Sequence, residues 1–448
     1  MIHQRILPVL PLCVVLTVFG SASVAAVDLE YFNVKSYGAV GNGIADDTAA
    51  INSALSAART AGRGTVFFPA GIYKTNGNHD LSGTNAQGSV SGLRILGSGI
   101  GATVLKMADA THDLFFSNTN TTDLTLQDFS VTSDAGVRTG GWVYHAGAAY
   151  NAQGFLLRSR IESIDVKKQV NGFWIAQYEY VWLKNLMMSN FVGSGGIGIK
   201  AGQTTLSDRN QGSELYILGT QINGQDLVNH TDPLVLAYGI WIEDCDAVYV
   251  VNSGVGATLT NGLRLVANAG GHGPMNFFFD QLISDATRDS HGVYITGGGS
   301  VQNLKFTGCW FASAGKAVPG GSLTANGIRI DVAQLGFVEI TGSKIVNNAG
   351  TGLYLATHPT NAAITFSGNL LWNNGSGGQA GNMDGLYVDT PINALGPVIT
   401  GNQDSYEPGV SLRTSATANR LVIVGNRFVS GVSFGITPLV QGLNEGVN

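Results

Sequence analysis

Apolar and variable residues alternate along most of this chain in short runs, each opened by a glycine and closed by Gly/Asn-rich turns. The unit glycine, apolar, variable, apolar recurs as NGFWIA at Asn171, GGIGIK at Gly195, YGIWIE at Tyr238, NGLRLV at Asn261, HGVYIT at His291, NGIRID at Asn326, TGLYLA at Thr351 and DGLYVD at Asp384. Taking Gly172, Gly196, Gly239, Gly262, Gly292, Gly327, Gly352 and Gly385 as equivalent gives gaps of 24, 43, 23, 30, 35, 25 and 33 residues, a period in the twenties with insertions. A second unit falls between these: FTGCWF at Phe306, ITGSKI at Ile340, FSGNLL at Phe366, ITGNQ at Ile399 and VGNRF at Val424. A period of two sends the apolar residues inward and the variable ones outward. Three short strands per turn, stacked in parallel at about 4.8 Å per rung, predict an all-β, single-stranded parallel β-helix. An immunoglobulin-like sandwich would require antiparallel hairpins at closer spacing, which this register lacks.

The pattern differs at its start. In FNVKSYGAVGNGIADDTAAINSALSAARTAGRGTVFFPAGIYKT, Phe32 to Thr75, the spacing of Ala49, Ile51, Ala54, Leu55 and Ala58 predicts an amphipathic helix. Asp46 or Asp47 supplies its cap, and Gly62 and Gly64 end it before a strand at Thr65 to Phe68. A β-helix leaves an open apolar end, so this helix is expected to be the N-terminal cap. Ahead of it, Arg5, the apolar run Ile6 to Phe19 and the small residues Val24-Ala25-Ala26 read as a secretory signal at residues 1–26. Residues 27–448 are then expected to form a single β-helix domain, with 27–75 as cap and first strand and about 93–435 as rungs.

Composition narrows the partners. Sixty-two glycines are about twice the usual share and a charged fraction of 12% about half of it, as many short strands and tight turns demand. A net charge of -6 without any Lys/Arg run argues against nucleic acid. No further segment is long and apolar enough to span a bilayer, so the expectation is a soluble protein secreted to the periplasm or the medium, without a membrane partner once the signal is removed. Cys245 and Cys309 fall on different rungs, too far apart for a disulfide, and are expected to be buried thiols.

The segments YGAVGNGIADDTAAI and GTVFFPAGIY resemble the entry module of the pectate-lyase-like β-helix superfamily, and the rungs from Leu93 to Gly435 resemble its body. That superfamily includes polygalacturonases, pectate lyases, mannuronan epimerases and phage tailspikes. The resemblance implies a right-handed coil, in keeping with the general preference for right-handed crossovers. The HGVYI strand with His291 and the later NGIRID with Arg329 are similar to the second half of a polygalacturonase site. The acids that should precede them are missing: Leu236-Ala237-Tyr238 and Leu259-Thr260-Asn261 stand there, and Asp331 replaces the motif's lysine. The residue before the strand glycine is also Asn171, Tyr238, Asn261, Asn326, Thr351 or Asp384 in other rungs, so His291 equally fits a plain turn position.

The outward positions supply other candidates. Trp174, Trp241, Arg264, Tyr294, Arg329, Tyr354 and Tyr387 occupy one place in the repeat, with Lys200, Glu243, Thr296, Asp331 and Asp389 two residues on. Aromatic faces stack on sugar rings and guanidinium groups hold carboxylates, so the stripe suits an extended, acidic polysaccharide. Within it WIEDCDAV carries Glu243, Asp244 and Asp246. As hydrolase chemistry, Glu243 or Asp244 would be acid or base with Asp246 or a neighbouring carboxylate as partner. In lyase chemistry these three would hold Ca²⁺, and Lys200, Arg264 or Arg329 would neutralise a uronate or remove its C5 proton. As turn residues they would do neither. Glu243 and Asp331 are three rungs apart, roughly 14 Å, too far to be one pair. Asp289, with Asp285 and Arg288 nearby, is placed to pair with His291 and raise its pKa. The insertion SDRNQGSELYILGTQINGQDLVNHTDP would wall one side of the groove and offer Asp232. Weighing these, a secreted polysaccharide-cleaving enzyme leads, with hydrolase slightly ahead on His291 and Arg329. Polysaccharide lyase and epimerase follow, and a carbohydrate-binding or adhesive β-helix is the non-enzymatic alternative. A hydrolase would need no cofactor and a lyase would take Ca²⁺. β-Helices often form homotrimers, an assembly the sequence leaves open.

Overall fold

The computed structural model describes residues 31–441, apart from 83–89, 135, 148–154, 204–211, 226–233, 271–275, 317–319, 357–362, 381–382, 390–396, 416–421 and 436–439. The signal segment and Asp232 lie outside the described residues. From Tyr31 to Gln441 the strands form one continuous sheet in which every inter-strand pairing runs parallel to a strand of the next coil. One coil shows the plan. Leu236–Glu243 lies on a first face, Val248–Val251 on a second and Gly254–Thr258 on a third; Asn261–Val266 then returns to the first face directly above Leu236–Glu243. The protein is a parallel β-helix.

Alternation fills the interior. Phe173, Ile175, Ile199, Ile240, Ile242, Leu263, Leu265, Val293, Ile295, Ile328 and Ile330 are buried on the first face, with the intervening residues outside. Where two apolar side chains of successive rungs stack, each buried one contributes roughly 1.5–3 kcal/mol, which is the main favourable term holding coil to coil. The cap helix, α1, spans Thr48–Thr60 and buries Ile51, Ala54, Leu55 and Ala58 over the first coil. Ala49 is exposed and Ala50 packs in its place. The two aspartates divide the entry. Asp46 takes the Thr48 amide at 3.0 Å, whereas buried Asp47 receives the amides of Val40 and Gly41 at 2.7 and 3.1 Å and ties the preceding loop down.

The second repeat unit has a specific cause. Between the second and third faces the chain turns through one left-handed residue on every coil, at Asn185, Gly219, Asn252, Gln281, Gly308, Gly342, Gly368, Gly401 and Gly425. Glycine and asparagine tolerate that conformation, which explains the recurring TG and GN pairs. The residue after the turn points inward and forms a polar column: Cys309, Ser343, Asn369, Asn402, Asn426. Asn402 alone makes four bonds, accepting from the backbone and side-chain amides of Asn369 and donating to Phe366 O and Asn426 Oδ1. A parallel asparagine column, Asn348 and Asn374, ends on Glu407, whose buried carboxyl is pushed up to about 9 by loss of solvent. Cys245 and Cys309 are both buried free thiols.

Register corrects one alignment. Gly198, not Gly196, is equivalent to Gly172 and Gly239: Lys200 pairs with Trp174 below and Trp241 above, and the register slips between Gly196 and Ile197 to absorb Ala237. The reason is steric. A Cβ at Gly172 would stand 2.3 Å from the carbonyl oxygen of Gly198, and one at Gly198 2.6 Å from that of Gly239, so only glycine allows these rungs to close. The insertion expected as a groove wall is in part rung, since Gly212–Leu218 and Gln221–Asn223 are strands of the second and third faces.

Substituting Asn402→Ala should leave the buried backbone N–H of Asn369 without its acceptor, remove the side-chain bonds to Asn369 and Asn426, and cost about 1–3 kcal/mol. A chemical-denaturation midpoint unchanged from wild type would contradict this account of the column.

Candidate functional site

The corrected register builds one outward column on the first face: His145, Trp174, Lys200, Trp241, Arg264, Tyr294, Arg329, Tyr354, Tyr387 and Arg413, each paired with the next. Lys200 therefore belongs to the same column as the tryptophans, and cations alternate with aromatic rings over most of its length. Lys200 Nζ stands 4.6 Å from the Trp174 ring centre and 5.1 Å from Trp241. The Arg264 guanidinium lies 5.2 Å from Trp241, 5.3 Å from Tyr238 and 5.9 Å from Tyr294. Arg329 is 4.8 Å from Tyr354 and Arg413 is 5.9 Å from Tyr387. Each contact is worth about 0.5–2 kcal/mol depending on solvent access, and together they hold long side chains in fixed positions along the face.

Carboxylates close most of the charges. Glu243, only 6% exposed, meets Lys200 at 3.2 Å; Asp331 meets Arg329 at 3.2 Å; buried Asp384 takes Arg413 through two bonds of 2.6 and 3.0 Å. Asp389 receives the Tyr354 hydroxyl at 3.1 Å. Among the described residues, Arg264 faces no carboxylate. Its Nη1 reaches only the Tyr238 hydroxyl, at 3.4 Å, and its buried Nε has no hydrogen-bond partner. It is a guanidinium held by three aromatic rings with its anion-binding edge unspent.

The acidic cluster separates on folding. Glu243 ends a strand, Asp244 turns away in the left-handed region to accept the backbone and side-chain amides of Asn268, both at 2.7 Å, and Asp246 accepts the backbone and side-chain amides of Asn276 at 2.7 and 2.9 Å. Among the described residues no three His, Cys, Asp or Glu side chains converge on a point, so Glu243, Asp244 and Asp246 do not fit the cage of oxygen ligands that Ca²⁺ takes. Two of the three instead tie one turn to the turn above it. Glu243 and Asp331 are separated by Val266 and Thr296, the expected three rungs.

His291 and Asp289 are also kept apart. Asp289 forms a two-bond pair with its neighbour Arg288, at 2.7 and 2.6 Å, and the pair points to solvent. The imidazole instead packs edge-on against Tyr294, and its Nδ1 accepts the Asn326 amide at 3.0 Å. Loss of solvent around the ring, reinforced by nearby Arg329 and opposed by Asp331, pulls His291 down to about 3. The expected direction was upward; the histidine is neutral, with its remaining proton on Nε2.

His145 and Arg413 of the column, and Tyr238 beside it, escaped the repeat search. His145 stacks on Trp174 with ring centres 4.1 Å apart, donates its Nδ1–H to Asp113 Oδ2 at 3.2 Å, and keeps a buried Nε2 without a partner among the described residues. The position one rung below Gly172 is Val143, so no glycine announces the strand Tyr144–Ala146; only the buried, outward, buried order of Tyr144, His145 and Ala146 betrays it. Tyr238, the partner of Arg264, stood in the sequence only as the residue before a glycine.

Comparison with known proteins assigns the class. Residues 31–262 match the family model described as rhamnogalacturonase A/epimerase, pectate lyase-like. The chain belongs to that family. Over 78 residues, 17% of the chain, it is 50% identical to a mannuronan C5-epimerase of Azotobacter vinelandii, and over 81 residues, 18% of the chain, 46% identical to alginate lyase 7 of the same organism. These stretches cover 4% and 9% of the two relatives, so the chain spans a small part of their length. Among solved structures, the catalytic unit of an α-1,3-glucanase from Streptomyces thermodiastaticus superposes with a TM-score of 0.54 at 14% identity over 93% of this chain and 69% of that one. The N-terminal fragment of bacteriophage phi29 gene product 12 superposes with 0.57 at 14% identity over 93% and 70%. At that identity the two share the parallel β-helix and nothing more is inferred from them.

The state of His291 is directly measurable. Folded, its imidazole takes up a proton only near pH 3, while the unfolded chain does so near 6.5, so stability is lost as pH falls across that interval. Imidazole nitrogen shifts should show one Nε2–H tautomer from pH 8 to 4 without inflection; a titration near 6.5 would refute the buried, neutral assignment.

Proposed function

We propose that the protein is a polysaccharide-modifying enzyme that binds an acidic polymer along the aromatic and cationic column and acts on a uronate residue at C5, by elimination. The observation that carries this reading is Arg264, an aromatic-caged guanidinium that among the described residues meets no carboxylate, at the middle of a column whose other cations are paired. A planar guanidinium takes a carboxylate through two parallel bonds, and neutralising a uronate carboxylate acidifies the adjacent C5–H. Trp241 and Tyr294, one rung to either side, offer apolar surface to the flanking sugar rings.

In this reading Tyr238, whose hydroxyl is 3.4 Å from Arg264, moves the proton. As the phenolate it takes the C5 proton as a double bond forms between C4 and C5 and the C4–O glycosidic bond breaks, and it then passes that proton to the departing oxygen, which restores the phenolate. Return of a proton to the opposite face of C5, with the glycosidic bond left intact, would be epimerisation. Inverting hydrolysis is less well served, because it needs one carboxyl held protonated and another free as base, and Glu243, Asp331 and Asp384 each lie against a cation. Ca²⁺ has no place in this proposal, since carboxylate neutralisation falls to Arg264. With a secretory signal expected at residues 1–26, the polymer would be met outside the cell.

Purified protein should be incubated with alginate, polygalacturonate and neutral glucans, with and without EDTA, following reducing ends and the ultraviolet absorbance of an unsaturated uronate together. Both signals are expected on a uronic polymer, insensitive to EDTA, and Arg264→Ala should lower the rate about 100-fold or more, the usual effect of deleting one charge-stabilising donor. Reducing ends alone would establish hydrolysis instead. A changed uronate configuration without new ends would establish epimerisation, and Arg264→Ala at the wild-type rate would remove the basis for the site.

A further inference from the structure

The third face carries a second concavity, on another side of the coil from the cation column. On this face the outward positions of successive rungs are Gln221 and Asn223, then Gly254 and Gly256, then Ile283 and Asp285. One rung therefore has glycine at both outward positions, and the missing side chains leave a cleft of about 170 Å³ between the rungs on either side. Neither glycine has a positive φ; a Cβ on Gly256 would meet nothing closer than 3.8 Å, whereas one on Gly254 would stand 2.3 Å from Gln221 Oε1, whose side chain lies over that position. Their effect is the cleft itself.

We infer that this cleft binds one uncharged sugar residue, giving the protein a carbohydrate-binding site separate from the column on the first face. The lining fixes the class of ligand. Met187 and Ile283, 44 and 47% exposed, make an apolar rim. The polar groups are two amides and one carboxylate. Asn223 spends its Oδ1 on the Gln225 amide, which leaves its NH₂ as donor, and Asp285 holds a buried Oδ1 with no hydrogen-bond partner. A sugar hydroxyl can donate to Asp285 and accept from Asn223, while the C–H face of the ring lies on the apolar rim. A uronate or phosphate would place its negative charge against Asp285, and a metal ion would find a single carboxylate where it needs several oxygens. The inference draws on the preceding proposal only in expecting a polysaccharide nearby: the cleft would hold a neutral residue or branch of the same polymer.

The test is binding, measured calorimetrically on the full chain with methyl glycosides of glucose, galactose and mannose and with neutral oligosaccharides. Weak binding to at least one is expected. Gly256→Leu, which fills the cleft from a position with room for a side chain, and Asp285→Asn, which keeps the shape and replaces an oxygen acceptor by a donor, should each weaken it tenfold or more. Both variants should keep the wild-type rate on uronic polymers. Arg264→Ala should leave neutral-sugar binding unchanged. Absence of binding to every neutral sugar overturns the inference, and so does binding that survives both cleft variants or disappears in Arg264→Ala. Should Gly256→Leu unfold, the Asp285→Asn result decides alone. Because turnover and binding use different ligands and different variants, failure of the uronate proposal is visible separately from failure of this one.

Discussion

The parallel hydrogen bonds between one coil and the next govern everything else in this molecule. They place each residue directly above its equivalent one coil earlier, at about 4.8 Å, so each column repeats one chemical environment. Inside, that constraint selects aliphatic and aromatic stacks. At the turn between the second and third faces it selects residues that accept a left-handed backbone, and beside them a column of asparagines whose amides bond to one another rather than to water. Where a close approach of two backbones leaves no space, as from Gly172 to Gly198 to Gly239, it selects glycine.

The same constraint makes a charged outward column costly. Two cations on adjacent rungs would repel at less than the Debye length of physiological salt, about 8 Å. The column on the first face meets this by placing an aromatic ring between most successive cations, which roughly doubles their separation and turns each ring face into a partner. Carboxylates from the ends of the strands complete three of the four cations, Lys200, Arg329 and Arg413. Arg264 is the exception, and the residue whose hydroxyl it meets, Tyr238, comes from the coil before it. A rigid, repetitive scaffold thus isolates one guanidinium, and the irregularity is where chemistry can be sought.

How much of this could be read beforehand depends on the distance over which each feature is decided. The rungs, the cap helix and the outward aromatic stripe come from local alternation and turn chemistry, and they were legible. The corrections are cases in which a partner or a turn that alternation does not reveal decides. Glu243 looked like a groove acid and is a buried partner of Lys200. Asp289 is next but one to His291, yet its sequence neighbour Arg288 takes both its oxygens. Asp244 and Asp246 look like a cluster in the sequence and diverge because a left-handed residue stands between strand and turn. His145 was passed over because valine, not glycine, occupies the marker position of its rung.

By itself the sequence determined the architecture: alternation of period two says which residues go in, the recurring glycines and asparagines say where the chain turns, and together they leave a stacked parallel coil. It also determined the chemical character of the outward stripe, aromatic and cationic. Only the tertiary structure decided which of those groups is unpaired. The partners of Lys200, Arg264 and Arg329 are set by a register that insertions of varying length shift from coil to coil, and a one-residue slip such as that at Gly196 moves a lysine into or out of the column. The cleft on the third face has the same origin. Gly254 and Gly256 are unremarked in the chain, and become a site only because larger side chains stand on the rungs above and below.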